Sequence, residues 1–596
     1  MQIKTLQRIR LGGAADAWSL TAIGAAFVAS SPLFIATLNE AVMLTLAFMG
    51  TCYITDRFAF AISEKTMLES DLDFVSSDPP VDPAHIHRRT DSLLFGYTTD
   101  HGKPLYIPYE DLTRHCLIIG QSGSGKTVLG ATLMRQQIAN GGGVIFVDGK
   151  MSSADLDSMY QMCSEAGRAH DLLVINPGDP SMSNTYNPIL YGDADEIGSR
   201  ILSLIPDASA SPGADHFRQG ALQAITTLVR GIKVTGKAYN FLDLSIMMSN
   251  PKALMALQKL VLLKARSVDK DDRDTQDSID DILLFLNRFT TKTQKGVQFD
   301  VNKMKESLGG IAGRLHSFGT GTFGNVLNSY NPDVNLYENI LANKIIYIML
   351  PTMAKSEAAT NMAKILMGDY RTAVSWIQRL PEHQRPNPPT LVFLDEAGSY
   401  FNQSFTRLME QARSARQMVI PAAQVKANFD VISEEMGEMV MGNTYTKVFF
   451  QLGTNEVAEV AATLVGMTKK VTMTVSDSDS ESDSAQKIQV TPDQANSTGQ
   501  GLSIGMREEE VYRIKPDSFI SLKRGQCVIT YAGASKIFDI RVPMFTVDEE
   551  MKKAIGPTKI NRQYKPRVEG LCFQNKIPEF VEQITERDEE EEAPKS

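Results

Sequence analysis

Eight consecutive residues, Gly120-Gln121-Ser122-Gly123-Ser124-Gly125-Lys126-Thr127, fit the pattern G-x-x-x-x-G-K-[ST]. Glycines at 120, 123 and 125 let the backbone turn tightly and aim its N–H groups at phosphate, and a following helix N-terminus adds partial positive charge. In such a loop Lys126 reaches the β/γ-phosphates of ATP and Thr127 ligates Mg2+. A second chemical group lies far downstream, where the apolar run Thr390 to Leu394 ends in Asp395-Glu396. Asp395 at a strand's carboxyl end can hold Mg2+ or its water ligands, while Glu396, pointing the other way, can orient and polarise an attacking water. Gln424 closes the next apolar run, Met418 to Ala423, where a polar side chain can sense the γ-phosphate. Arg413 and Arg416 precede that run, and an arginine delivered from a neighbouring subunit stabilises charge on a transferring phosphoryl group.

These groups need particular elements to hold them. Leu117-Ile118-Ile119 reads as the strand entering the phosphate loop, and Val128 to Ile138 has helical spacing after it, so strand, loop and helix come in the required order. A glycine-rich turn that binds nothing would not require that context. Gly141-Gly142-Gly143 ends the helix and Val144 to Val147 forms a buried strand capped by Asp148-Gly149-Lys150. Further strands are expected at Leu172 to Ile175, Ile345 to Leu350, Thr390 to Leu394, Met418 to Ala422, Lys447 to Leu452 and Cys527 to Tyr531. Strands alternating with helices imply an α/β fold with a mostly parallel sheet of some seven or more strands. Between Asp193 and Leu315 the apolar positions recur at helical spacing instead, which predicts an inserted all-helical domain. An ATP-binding cassette signature is missing before the acidic strand, as are the kinase H-R-D and D-F-G motifs, which leaves a RecA-like P-loop motor.

The chain has 596 residues, more than one hydrophobic core usually serves. Its formal net charge of -10 argues against a generally sticky nucleic-acid binder, although a ring can hide a basic channel. Cys52, Cys116, Cys163, Cys527 and Cys572 have no C-x-x-C spacing, which suits a reducing compartment and gives neither a disulfide framework nor a zinc site. Ala17 to Leu38 is uncharged, and about 22 residues at 1.5 Å each cross the roughly 30 Å hydrocarbon core. Ala41 to Thr55 is a second, shorter uncharged segment. Lys4, Arg8, Arg10, Arg57 and Lys65 flank the pair and only Glu40 lies between, so both flanks are expected in the cytoplasm. A cleaved signal peptide, which would export the nucleotide site to a compartment lacking ATP, and a buried helical hairpin in a soluble protein are the competing readings.

The expected organisation is a membrane anchor with two transmembrane helices over 1–65, a linker over 66–92, a RecA-like nucleotide-binding domain over 93–192 and 316–555, and the helical insertion over 193–315. Ser/Asp alternation predicts a mobile loop over 474–504, with a cation or protein contact as its alternative. The tail over 556–596 carries the acidic run Glu586 to Glu592, either solubilising or a docking site for a basic partner.

In combination, the two amino-terminal segments, His115 to Gly120 leading into the phosphate loop, Asn187-Pro188-Ile189, the helical insertion, Gly313-Arg314-Leu315, the Asp395-Glu396 strand and Gln424 resemble the type IV secretion coupling proteins. These are the TraD/TrwB/DotL-like group within the FtsK/HerA class of motors. The resemblance runs from about Ala17 to Val542. It implies a homo-hexameric ATPase of the bacterial inner membrane that receives DNA–relaxase complexes or protein substrates and passes them to the components of a type IV secretion channel. Arg413 matches the family's arginine, whereas Asp148-Gly149-Lys150 departs from the more usual Asp-Pro-Lys and leaves the role of Lys150 open. The acidic tail and the Ser/Asp segment lie outside the common pattern, where a substrate or adaptor can be recognised. Lys252, Lys259, Lys264, Arg266, Lys292, Lys295, Lys303 and Lys305 of the insertion are candidates for DNA phosphates, interspersed with acids. A protein-effector motor and a cargo-recruiting scaffold with ATP as a structural ligand are the competing functions.

Overall fold

A computed structural model describes residues 89–576, apart from 101, 206–211, 268–271, 294–295, 354, 402–403, 431–432, 480–499, 532–535, 545–548 and 563–564. The two expected membrane segments, most of the linker, the centre of the Ser/Asp segment and the acidic run of the tail lie outside the described residues. Among the described residues, no helix is long and apolar enough to cross a membrane.

The strands in chain order are β1 (Ser92–Thr98), β2 (Pro104–Pro108), β3 (Cys116–Ile119), β4 (Val144–Asp148), β5 (Leu172–Ile175), β6 (Thr290–Thr293), β7 (Gly296–Phe299), β8 (Ile345–Met349), β9 (Thr390–Leu394), β10 (Gln417–Ala423), β11 (Thr446–Phe449), β12 (Met467–Asp479), β13 (Gln500–Tyr512), β14 (Gln526–Tyr531) and β15 (Lys536–Arg541). Eleven of them make one sheet in the order β2-β1-β15-β14-β11-β3-β10-β9-β4-β8-β5. From β11 to β5 every neighbouring pair is parallel. The other four strands form an antiparallel flank joined through β14 to β11. The parallel strands β3, β4, β5, β8, β9 and β10 are buried at every position, which is why each is a continuous apolar run: a parallel strand is covered on both faces. The flank has exposed positions, as in β2 and β15.

Helix α1 (Lys126–Ala139) follows β3 and packs closely on the sheet because Gly130 has no side chain: a Cβ there would lie 2.5 Å from the Phe393 ring. Phe393 in turn meets Phe146 at 5.7 Å, and Phe146 meets Tyr347 edge-on at 4.9 Å, so one aromatic layer runs across β9, β4 and β8. Helix α2 (Ser153–Glu165) follows β4, capped by Ser152, whose side chain accepts from Asp155 N–H.

The insertion holds α3 (Ala194–Leu202), α4 (Pro212–Thr235), α5 (Phe241–Ser249), α6 (Pro251–Ala265), α7 (Arg273–Asn287) and α8 (Val301–Gly319). It is not all-helical: β6 and β7 pair as an antiparallel hairpin between α7 and α8. Four-residue strands are too short for periodicity to separate from helix, which is why the sequence pattern misses them. Buried Arg200 of α3 fastens the insertion to α9 (Ser356–Arg379), with Nη1 2.9 Å from Asp369 Oδ1 and Nη2 donating to Thr372 Oγ1 at 2.9 Å. Tyr186 completes the pair by donating to Asp369 Oδ2 at 2.6 Å.

Three further observations bear on the expected boundaries. First, the described residues divide into two compact units, 89–451 with 523–576 and 452–522. Second, the segment 474–504 is not wholly loop, because β12 and β13 pair residue by residue from Met467↔Tyr512 to Asp479↔Gln500. These two strands pair only with each other and leave the large sheet uninterrupted between β11 and β14. Third, described residues after 556 are tied to the fold by hydrogen bonds. Asn561 Nδ2 donates to His170 O at 2.8 Å, Asn331 Nδ2 to Pro566 O at 2.8 Å and Leu571 N to Ala238 O at 2.9 Å. Phe573 N donates to Asp243 Oδ1 at 2.9 Å, so this strap ends against α5.

Candidate functional site

The phosphate loop emerges from β3 at the carboxyl edge of the parallel strands. Its path is fixed by backbone bonds to both neighbouring strands: Gly120 N donates to Ala423 O at 3.2 Å and Gln121 N to Gln451 O at 2.9 Å. Gly120 must be glycine for space, since a Cβ would sit 2.5 Å from Phe450 Cβ and 2.8 Å from Ser124 Oγ. Gly123 and Gly125 must be glycine for conformation, with φ of 77° and 125°. The antiparallel flank supports the loop from below, as Gly525 N donates to Ser124 O at 2.9 Å.

The polar groups of this loop lack strong partners. Ser124 Oγ is buried with no hydrogen-bond partner. The Lys126 ammonium is buried and reaches only carbonyls, Gly120 O at 2.6 Å and Gln121 O at 3.1 Å. Burial lowers its pKa, and the charges of Glu396 and Asp395 oppose that fall. Together with the free N–H groups of the first turn of α1, these donors fit a polyphosphate. Thr127 follows, half-buried. Among the described residues no cluster of three or more His, Cys, Asp or Glu side chains forms a metal cage.

β9 delivers the acidic pair to the same edge. Asp395 N donates to Val147 O at 3.0 Å, and its carboxylate, 1% exposed, is raised in pKa by burial, with Lys150 drawing it back. Glu396 has φ 54°, a left-handed step that brings its carboxylate, like that of Asp395, within reach of one lysine. Gln424, exposed just past β10, lies between loop and acids, because β10 is the strand that separates β3 from β9. Its Nε2 is 3.4 and 3.3 Å from the Glu396 carboxylate oxygens.

Lys150 bridges the pair, 3.2 Å from Asp395 Oδ2 and 3.2 Å from Glu396 Oε1. Burial opposes its charge, but these two ion pairs outweigh burial and leave its pKa raised. Buried Asp148 sets the backbone beneath it, accepting from Lys150 N at 2.7 Å, Ser152 N at 2.8 Å and the Tyr347 hydroxyl at 2.9 Å. Sequence reasoning leaves Lys150 open and misses Asp148, Phe450 and Gly525. A charged Asp-x-Lys at the end of a strand neighbouring β9 is the one signal that points to the first two.

Arg413 and Arg416 are not brought to this cleft within the chain. They precede β10 at its amino end, Arg413 exposed, while the cleft lies at its carboxyl end, ~20 Å away for a seven-residue strand. Of the basic residues of the insertion, Lys259, Lys264, Arg266, Lys303 and Lys305 are exposed and Lys252 is half-buried.

Residues 389–512 match the family model described as the TraM recognition site of TraD and TraG, and residues 94–150 match that of the helicase HerA central domain. The chain is 27% identical over 397 residues to the type 4 coupling protein DotL of Legionella pneumophila subsp. pneumophila, covering 60% of this chain and 50% of that protein. It therefore spans about half the length of the curated relative it matches. Among solved structures, the bacterial conjugative coupling protein TrwBdeltaN70, in a trigonal form with sulphate, shares the fold at TM-score 0.50 and 14% identity, over 78% of this chain and 91% of that one. The plasmid coupling protein TrwB in complex with ADP and Mg2+ is similar at TM-score 0.47 and 13% identity, over 76% and 90%.

Proposed function

We propose that this chain, a relative of the type IV coupling proteins, is a coupling ATPase that uses ATP hydrolysis to recruit DNA–relaxase complexes and move them into a type IV secretion channel. The observation that carries the reading is the convergence of Lys126, Asp395, Glu396 and Gln424 on one cleft at the carboxyl edge of the sheet, with Lys126 within the field of both carboxylates. Ser124 Oγ, the Lys126 ammonium and the loop N–H groups hold the phosphates. Thr127 and Asp395 would hold Mg2+, which would supply charge neutralisation at the phosphates. Glu396 orients and polarises the water, and Gln424, bonded to Glu396, reports the change at the γ-phosphate to β10. Residues 17–38 and 41–55 anchor the chain in the inner membrane with the nucleotide site in the cytoplasm, in a homo-hexamer. The acidic tail offers a contact for an adaptor. Exposed Lys259, Lys264, Arg266, Lys303 and Lys305 of the insertion support DNA as the cargo.

The test is a transfer assay with DNA and protein cargo, run beside ATP binding and hydrolysis. Lys126→Ala is expected to lose nucleotide binding, and Glu396→Gln to keep it while hydrolysis falls ~10²- to 10⁴-fold, both abolishing transfer. Transfer by Glu396→Gln at the wild-type level would establish a scaffold instead. Hydrolysis insensitive to DNA, with protein cargo still moved, would establish an effector motor.

A further inference from the structure

Lys150 joins the two carboxylates to which the proposed function gives different tasks. Its ammonium is equidistant from them, 3.2 Å from Asp395 Oδ2 and 3.2 Å from Glu396 Oε1. The backbone beneath is rigid: Asp148 accepts from the N–H groups of both Lys150 and Ser152, and Tyr347 holds Asp148 from the neighbouring strand. The side chain above that base is 45% exposed, so the four-carbon stem is free to swing without disturbing the loop. Asp395, by contrast, is 1% exposed, and among the described residues its carboxylate accepts, apart from Lys150, from the Glu396 N–H at 3.1 Å. A buried carboxylate needs a counter-charge. Mg2+ would sit about 2.0–2.1 Å from a carboxylate oxygen. It would then crowd an ammonium already placed on Asp395 Oδ2, and the two cations repel.

We propose that Lys150 is the exchangeable counter-ion of the acidic pair, so that its ion pairs and a divalent cation on Asp395 exclude each other. While Lys150 is in place, Glu396 is held by Lys150 and Gln424 and cannot serve the water. With a metal on Asp395, the Lys150 ammonium would turn away from the pair toward the phosphates, and Glu396 would be released from it. The inference deepens the proposed ATPase reading and rests on it for the assignment of Asp395 to the metal.

The test uses the full chain without nucleotide and Mn2+ as the probe, free Mn2+ being read by electron paramagnetic resonance. Lys150→Met is expected to bind Mn2+ roughly tenfold tighter than the wild type, the worth of one close charge pair no longer displaced. Lys150→Arg, which keeps the charge, should bind as the wild type does, and Lys150→Met combined with Asp395→Asn should lose the gain. A Lys150→Met chain that binds Mn2+ no tighter than the wild type, including the case in which neither binds, overturns the proposal. Titration with a fluorescent ATP analogue in chelator separates the two readings. A chain that binds no nucleotide but shows the Mn2+ gain loses its ATPase assignment and keeps its exchangeable lysine.

Discussion

Gly120→Ala isolates the contribution of the phosphate loop's shape from that of its charges. Gly120 has no positive φ, so alanine is acceptable to the backbone and the whole effect is steric. The new methyl would lie 2.5 Å from Phe450 Cβ, 3.4 Å from Phe450 Cα and 2.8 Å from Ser124 Oγ, against roughly 3.5–4.0 Å for an unstrained carbon contact. Phe450 cannot retreat, being fully buried and tied by its N–H to Ile119 O at 2.8 Å. The loop must therefore move, at the ~1–3 kcal/mol typical of overpacking. If that cost falls on the conformation that holds phosphate, nucleotide affinity drops ~5- to 150-fold. Titration with a fluorescent ATP analogue measures the loss, and thermal unfolding shows that the body of the fold persists. Gly123→Ala is the contrast: nothing lies within 4 Å, and its cost comes only from φ of 77°, about 1–2 kcal/mol. Unchanged affinity in Gly120→Ala would refute the claim that Phe450 fixes the start of the loop.

Two further outcomes follow from groups outside the loop. Arg413, remote from its own chain's cleft, is expected to act on a neighbour, so assemblies of Arg413→Ala or Lys126→Ala alone should lose ~10³- to 10⁵-fold in turnover while a mixture of the two regains part of it. Full activity of Arg413→Ala alone, or a silent mixture, rules that role out. Asp243, where the strap meets α5, has its carboxyl pushed up to about 6 by burial, opposed by bonds from Phe573 N–H, Tyr330 and Asn240 N–H. The folded chain thus holds a proton that the unfolded chain releases near pH 4, so stability falls as pH rises between about 4 and 6, by ~3 kcal/mol for this group. Urea midpoints across that range should fall less steeply for Asp243→Asn than for the wild type, and parallel slopes would contradict the assignment.

What could be read in advance follows from the range of the interactions involved. β3, β4, β9 and β10 are each written in one short apolar run, because a strand covered on both faces needs no partner's sequence to be recognised. The glycine spacing of residues 120–125 is likewise local. Phe450 and Gly525 reach the loop from distant parts of the chain, and nothing in their own neighbourhoods marks them for it. Lys150 is the intermediate case: its place at a strand end is legible, but its choice of partners depends on β9 lying beside β4. The Ser/Asp alternation predicts a loop from composition, whereas the ladder through Met467 to Asp479 is a matter of backbone pairing that composition does not record. The strap ending at Phe573 is proline-containing and is held by individual hydrogen bonds to side chains and carbonyls, and its few buried apolar residues, such as Leu571 and Phe573, make no periodic pattern to announce it.

β1, the first strand of the fold, lies against the helix that leaves the phosphate loop: Leu94 N donates to Gln136 Oε1 at 2.8 Å and Gln136 Nε2 donates back to Leu94 O at 2.9 Å. β1 also pairs with β15, and Val542, just beyond β15, donates its N–H at 2.9 Å to Gly525 O, while Gly525 N–H supports Ser124. A pull on the chain ahead of Ser92 would thus arrive at Ser124 of the glycine-rich loop and at the last turn of the helix that leaves it, through two short mechanical linkages, with no need for a signal to cross the parallel sheet.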